Sequence, residues 1–98
     1  MAMFVTLVNM TEQGARDYKA TPERAEKFKA EAQKAGVTVK EVLWTMGRYD
    51  VVMILEAADD KTAAAALVGL AAIGNVKTQT MRAFSAAEMQ EIISKTTK

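Results

Sequence analysis

The most constraining feature of the sequence is the run Val51–Leu55, VVMIL, which contains no polar residue. A strand with one face in water alternates apolar and polar side chains, whereas this run is apolar on both faces. The run Met3–Val8, MFVTLV, is nearly as two-sided. Both segments are therefore predicted to be strands inside a sheet whose two faces are covered.

Helix and turn signals divide the rest of the chain into alternating elements. Thr21 as N-cap with Pro22 at the first helical position predicts a helix that ends at Gly36. Thr11 could cap a shorter helical turn before it. The predicted strands are Met3–Val8, Val37–Met46, Tyr49–Glu56 and Val76–Phe84, and the later helices run from Asp59–Asp60 to Gly74 and from Ala86 to about Ser94.

The element order β-α-β-β-α-β, followed by a C-terminal helix, is that of the split βαβ or ferredoxin-like arrangement. It predicts an α+β fold with a four-stranded antiparallel sheet and two helices on one face. The 98 residues are enough for one domain, which is expected to span 1–98. The last helix is predicted from the capping box that Ser85 and Glu88 form.

The sheet face opposite the two helices needs its own cover. A second copy, packed sheet against sheet about a two-fold axis, is the simplest cover for an apolar face. In that assembly Met89, Ile92 and Ile93 of the last helix could pack across the interface. The alternative is that the C-terminal helix of the same chain covers the central strands.

Composition excludes several classes of function. The net charge is +1, from 13 basic and 12 acidic residues, so no nucleic-acid or membrane partner is expected. The chain has no cysteine and no histidine, which removes the thiol nucleophile and the commonest general base and metal ligand. Asp59 and Asp60 supply too few oxygens for a cation. We expect no metal, no cofactor and a cytoplasmic location.

Five motifs together resemble those of GYD-domain proteins. They are TEQG (Thr11–Gly14), TPERAE (Thr21–Glu26), VKEVLWTMG (Val39–Gly47), GRYD (Gly47–Asp50) and GNVKTQTMRAF (Gly74–Phe84). The resemblance covers almost the whole chain and implies a ferredoxin-like domain of the dimeric α/β-barrel group. Related barrels include cofactor-independent monooxygenases, small isomerases, haem enzymes and amino-acid-sensing domains, so the fold alone does not select a function.

The turn GRYD holds the candidate catalytic residues, Tyr49 and Asp50. In one interpretation Tyr49 acts as acid or hydrogen-bond donor and Asp50 as base, both inside a cavity. In the other, Asp50 hydrogen-bonds the backbone of the turn and Tyr49 packs its ring at a wet edge. The sequence favours the second interpretation without excluding the first.

A wider set of polar residues is predicted to bind a ligand. Arg82 could hold an anion through its guanidinium group, or form a structural ion pair with Asp50 or Glu41. The remaining predicted ligand-binding residues are Trp44, Tyr49, Asn9 and Arg16. The preferred hypothesis is a homodimeric sensor or carrier of a small molecule. The alternatives are a small isomerase or monooxygenase that uses Tyr49 and Asp50, and a structural or protein-interaction module.

Overall fold

The computed structural model describes residues 1–97 and contains four strands and four α-helices. The strands are β1 (Ala2–Met10), β2 (Val37–Trp44), β3 (Val51–Ala57) and β4 (Val76–Ala83). The helices are α1 (Glu12–Arg16), α2 (Thr21–Lys34), α3 (Asp60–Ile73) and α4 (Ala86–Ser94), with a 3₁₀ turn at Tyr18–Ala20.

The four strands form one antiparallel sheet in the order β2-β3-β1-β4. Val5 in the middle of β1 pairs with Ile54 on β3 and with Met81 on β4. With α2 and α3 this confirms the predicted α+β, ferredoxin-like fold. The two-sided runs in β1 and β3 do occupy the two central strands.

The core lies between the sheet and the helices α2 and α3. Phe4, Val8 and Leu55 of the central strands are buried there together with Ala32 of α2 and Leu67 of α3. Thr6 is the one buried polar residue of the described chain. Its hydroxyl is 2.9 Å from that of Thr80 on β4, so the burial of a polar group is compensated by a hydrogen bond.

Most predicted helix ends are confirmed. Ser85 and Glu88 form the expected capping box at the start of α4. Asp59 caps α3 by accepting from the Thr62 N–H at 2.8 Å, and Gly74 ends α3 with φ +91. Thr11 caps α1 through the Gly14 N–H.

Thr21 as an N-cap was a wrong prediction. Thr21 is the first residue of α2 and follows Ala20, which is already in a right-handed helical conformation. Because the 3₁₀ turn leads directly into α2, no extended residue precedes the helix. The Thr21 hydroxyl instead donates to the Tyr18 carbonyl at 2.8 Å.

The predicted hairpin strands are longer than those observed. Strand β2 ends at Trp44 and β3 begins at Val51, so Thr45 to Asp50 form the connecting loop. The register also shifts between Val39 and Glu41, which marks a bulge on the edge strand β2.

The side of the sheet away from α2 and α3 is uncovered. We call this surface the open sheet face; its larger apolar residues are Met3, Val5, Leu7, Leu43, Val52, Ile54 and Met81. Leu43 and Met81 are 51% and 44% exposed. The alternative in which the chain's own C-terminal helix covers the central strands is not what the structure adopts.

Helix α4 extends away from the rest of the domain. None of its nine described residues is buried, and Met89 and Ile93 are 48% and 55% exposed. The radius of gyration is 14.9 Å, compared with about 13 Å for a typical domain of this length. The longest dimension is 52 Å. The domain therefore presents an amphipathic arm.

Candidate functional site

The GRYD motif lies in the hairpin loop between β2 and β3. The Thr45 N–H donates to the Asp50 carbonyl at 2.9 Å, and the Thr45 hydroxyl donates to the Tyr49 carbonyl at 2.6 Å. Gly47 has φ +102, a backbone angle that residues other than glycine rarely adopt. No atom lies within 4 Å of where its Cβ would be. Glycine is therefore required at position 47 by the backbone angle and not by crowding around the residue.

Asp50 joins this loop to the end of β1. Its N–H donates to the Val8 carbonyl at 2.9 Å, and its Oδ2 accepts from the Met10 N–H at 2.8 Å. The carboxylate thus takes the place of the next backbone acceptor in the β1–β3 ladder. The sequence favoured a structural role for Asp50 within its own turn, whereas the observed partner of the carboxylate lies 40 residues away in the chain.

We expect Asp50→Ala to destabilise the fold and Asp50→Asn to be tolerated much better. Alanine leaves the Met10 N–H without its acceptor, and losing a hydrogen bond to a charged group costs roughly 1.5–3 kcal/mol. Asparagine retains an acceptor oxygen. Urea denaturation of both variants measures the difference. Equal stability of the alanine variant and the unmodified chain would contradict the structural role.

Tyr49 lies on the open side of the sheet. Its hydroxyl donates to Gln79 Oε1 on β4 at 3.4 Å, and the guanidinium of Arg48 is 5.8 Å from the centre of its ring. Because β1 separates β3 from β4 and Gln79 is paired with Leu7 of β1, the Tyr49 side chain crosses β1 on this side of the sheet. Asn9 is on the same side, paired with Lys77. Tyr49 and Asn9 therefore share a surface that is open to solvent.

Arg82 is on the other side of the sheet and near its other end. It pairs with Phe4, four residues along β1 from Val8, which is roughly 13 Å along the strand. Its guanidinium is 4.6 Å from the ring centre of Phe84 and donates to the Met3 carbonyl at 3.2 Å. Glu88 Oε2 is 4.0 Å away. Arg82 thus links the start of α4 to the sheet.

Trp44 adjoins the hairpin loop but lies on the opposite side of the sheet from Tyr49 and Asn9, and Arg16 lies apart on α1. Trp44 pairs with Val51 at the end of β2 and lies on the helix-facing side, under the start of α2. Arg16 is exposed on α1 and forms a surface ion pair with Glu12 at 3.0 Å. The structure brings Tyr49 and Asn9 to one surface but does not bring Arg82, Trp44 or Arg16 to it.

The sequence did not indicate the role of the TEQG segment. The Thr11 hydroxyl donates to the Gly74 carbonyl at 2.6 Å, and the Gln13 side-chain amide donates to the Ile73 carbonyl at 3.1 Å. These bonds satisfy carbonyls that the end of α3 leaves without helical partners. A Cβ on Gly14 would be 2.0 Å from the Asn75 carbonyl oxygen. The segment therefore holds α1 against the end of α3.

A groove runs between the two core helices. We call it the α2–α3 groove; its volume is about 430 Å³, and its lining includes Phe28, Ala32, Ala65, Gly69, Leu70 and Ile73. A smaller cavity of about 70 Å³ lies beneath the start of α2 beside Trp44. None of Tyr49, Asp50, Asn9, Arg16 and Arg82 lines the groove.

Two carboxyl groups have shifted pKa values, and both are helix caps. The backbone N–H of Ser85 lowers the pKa of Glu88, with smaller effects from the Ser85 hydroxyl and the Arg82 charge. Hydrogen bonds from Thr62 lower the pKa of Asp59. Both shifts follow from hydrogen bonds to the charged form of the carboxyl group. They mark capping positions and not a reaction centre.

Residues 1–97 contain no group of three or more acidic side chains arranged to hold a metal ion. Over the same residues, every helix is too short or too polar to cross a membrane.

Comparison with known proteins places these features in context. The model of the GYD domain matches residues 4–93. A Thermus thermophilus relative, named glutamine synthetase and cystathionine beta-lyase binding protein, is 36% identical over 90 residues, which are 91% of this chain and 95% of the relative. The crystal structure of TTHA0845, also from Thermus thermophilus, aligns with a TM-score of 0.57 and 20% identity, covering 88% of this chain and 96% of that one. The structural likeness supports the fold.

Proposed function

The chain belongs to the GYD domain family, and from this premise we propose that it is a homodimeric protein-binding module whose partners are metabolic enzymes. The relative from Thermus thermophilus is named for binding glutamine synthetase and cystathionine beta-lyase. The proposal has two parts, self-association through the open sheet face and partner binding through the tip of the hairpin.

The apolar character of the open sheet face supports the proposal that a second copy of the chain covers it. Its central residues Val5, Leu7, Val52 and Ile54 are apolar, and no element of residues 1–97 covers them. The same face of a second copy, related by a two-fold axis, would cover these residues with a surface of the same apolar character.

The proposed partner-binding surface is the hairpin tip, formed by Trp44, Met46 and Arg48. Met46 is 98% exposed, Trp44 is half exposed, and Arg48 is exposed beside the Tyr49 ring. Tryptophan, arginine and methionine are enriched in protein interfaces. The loop is held by the Thr45 and Asp50 hydrogen bonds, so it can present these side chains without a large ordering cost.

The test uses glutamine synthetase and cystathionine β-lyase purified from the organism that encodes this chain. We expect saturable binding of at least one enzyme in a biolayer interferometry assay. Met46→Ala and Arg48→Ala are expected to weaken it by about tenfold or more, as central interface residues do. Lys34→Ala, an exposed basic change on α2, is the control and should bind normally. Failure of both enzymes to bind would refute the module, and normal binding by the tip variants would refute this surface.

Binding of a small molecule is the second candidate function. The volume of the α2–α3 groove, about 430 Å³, is in the range of ligand sites, and the groove is mainly apolar. The predicted ligand-binding residues lie elsewhere, which makes this candidate weaker than protein binding. Native mass spectrometry of protein from its own cells tests it, because a bound molecule would add a mass that denaturation releases.

Catalysis by Tyr49 and Asp50 stays a prediction from the sequence. The Asp50 carboxylate already accepts from the backbone at Met10, and Tyr49 faces solvent beside Gln79. Both contacts favour a role in the fold. The cytoplasmic location also stays a prediction.

A further inference from the structure

Helix α3 and helix α4 both expose apolar surface that a single copy leaves uncovered. Residues Thr62 to Ile73 of α3 contain no charge, yet only Ala63 and Leu67 are buried among the fourteen residues of the helix. A helix that is apolar all round is normally buried. On α4, Met89 and Ile93 lie one turn apart and are about half exposed. The two surfaces are separate, so each copy offers both.

We propose that α4 of one copy docks into the α2–α3 groove of a second copy. The helix is preorganised for binding, because its capping box fixes its start and the Arg82–Glu88 contact holds its first turn. An amphipathic helix in an apolar groove is a common recognition mode. Small residues such as Ala65 and Gly69 in the lining allow a helix to approach closely.

The distribution of charge favours this occupant. The α2 side of the groove carries Arg24, Lys27 and Glu31, whereas the α3 side has no charged residue. Helical periodicity puts Glu88 on one side of the Met89–Ile93 stripe of α4, with Lys95 just past the helix end on the same side. The neutral residues Gln90 and Ser94 lie on the other side, and Glu91 lies opposite the stripe. Docked with its charged side against α2, the helix places Glu88 and Lys95 beside the wall that carries both signs of charge, and its neutral side beside the uncharged wall of α3.

The contact is heterologous, because an arm meets a groove and not another arm. It therefore does not require the sheet-to-sheet interface, and it would link copies beyond a dimer where both interfaces form. The proposal is also independent of enzyme binding at the hairpin tip. Each of the three contacts can fail while the others hold.

Disulfide trapping tests the proposal directly, since the chain has no cysteine of its own. A tagged Ile93→Cys variant is mixed with an untagged variant that carries a cysteine at a second position. The mixture is oxidised, and the mixed disulfide between the two chains is quantified by mass. Ala65→Cys places the thiol in the groove lining. Ala72→Cys is the matched control, an exposed alanine of α3 outside that lining. Ile54→Cys reports on the open sheet face instead.

We expect at least about tenfold more mixed disulfide with Ala65→Cys than with Ala72→Cys. Equal yields from these two variants would overturn the proposal. A larger yield with Ile54→Cys would also overturn it, because α4 would then lie across the sheet interface. Light scattering gives a second readout: Ile93→Glu should reduce the assembly to a smaller one, and an unchanged mass would overturn the proposal as well.

Discussion

Gly14→Ala is expected to lower the free energy of unfolding by roughly 2–3 kcal/mol and the midpoint of thermal unfolding by on the order of 10 °C. The added Cβ would be 2.0 Å from the Asn75 carbonyl oxygen, and a backbone atom cannot move aside as a flexible side chain can. The clash forces α1 away from the end of α3. The bonds from Thr11 and Gln13 to that end are then lost as well.

Gly69→Ala is the matched control for this variant. Gly69 lies inside α3 with no atom within 4 Å of its Cβ position, so alanine brings no clash there. Because glycine is the weaker helix former, we expect alanine to stabilise the chain by about 1 kcal/mol. Differential scanning calorimetry of both variants measures the opposite effects. A Gly14→Ala variant as stable as the unmodified chain would show that α1 does not depend on this close contact.

Val52→Lys is expected to convert the proposed sheet-face dimer into monomers. Val52 is in the centre of the open sheet face, where a single copy leaves it half-buried next to solvent. A lysine there can reach water in a monomer, so the fold should survive. In a sheet-to-sheet interface the same charge would be buried without a partner, at a cost of several kcal/mol.

The experiment is best done in a chain that already carries Ile93→Glu, so that α4 cannot link copies. Val68→Lys is the control, because it is the same valine-to-lysine substitution at a residue of α3 that is 70% exposed. Analytical ultracentrifugation should give a dimer for Ile93→Glu alone and with Val68→Lys, and a monomer with Val52→Lys. A Val52→Lys chain that stays dimeric would refute the open sheet face as the interface.

The candidate site was only partly accessible from the sequence. The turn was correctly predicted at Gly47, whereas Tyr49 and Asp50 were assigned to the third strand and lie in the loop. A structural role for Asp50 was the favoured interpretation. Its acceptor contact with the Met10 N–H could not be predicted, because it joins residues 40 positions apart. The same limit applies to Arg82, which was expected near Asp50 or Glu41 and instead contacts Phe84 and Glu88. The TEQG segment gave no local signal for its contact with α3.

The sequence by itself determined the elements and their order. Two-sided apolar runs identified β1 and β3 as strands, and local caps set helix ends, Ser85–Glu88 at the start of α4 and Gly74 at the end of α3, because these signals act over a few residues. Only the tertiary structure decided which faces stay uncovered. The open sheet face, the α2–α3 groove and the outward position of α4 depend on how distant segments pack, and a local pattern holds no information on that packing.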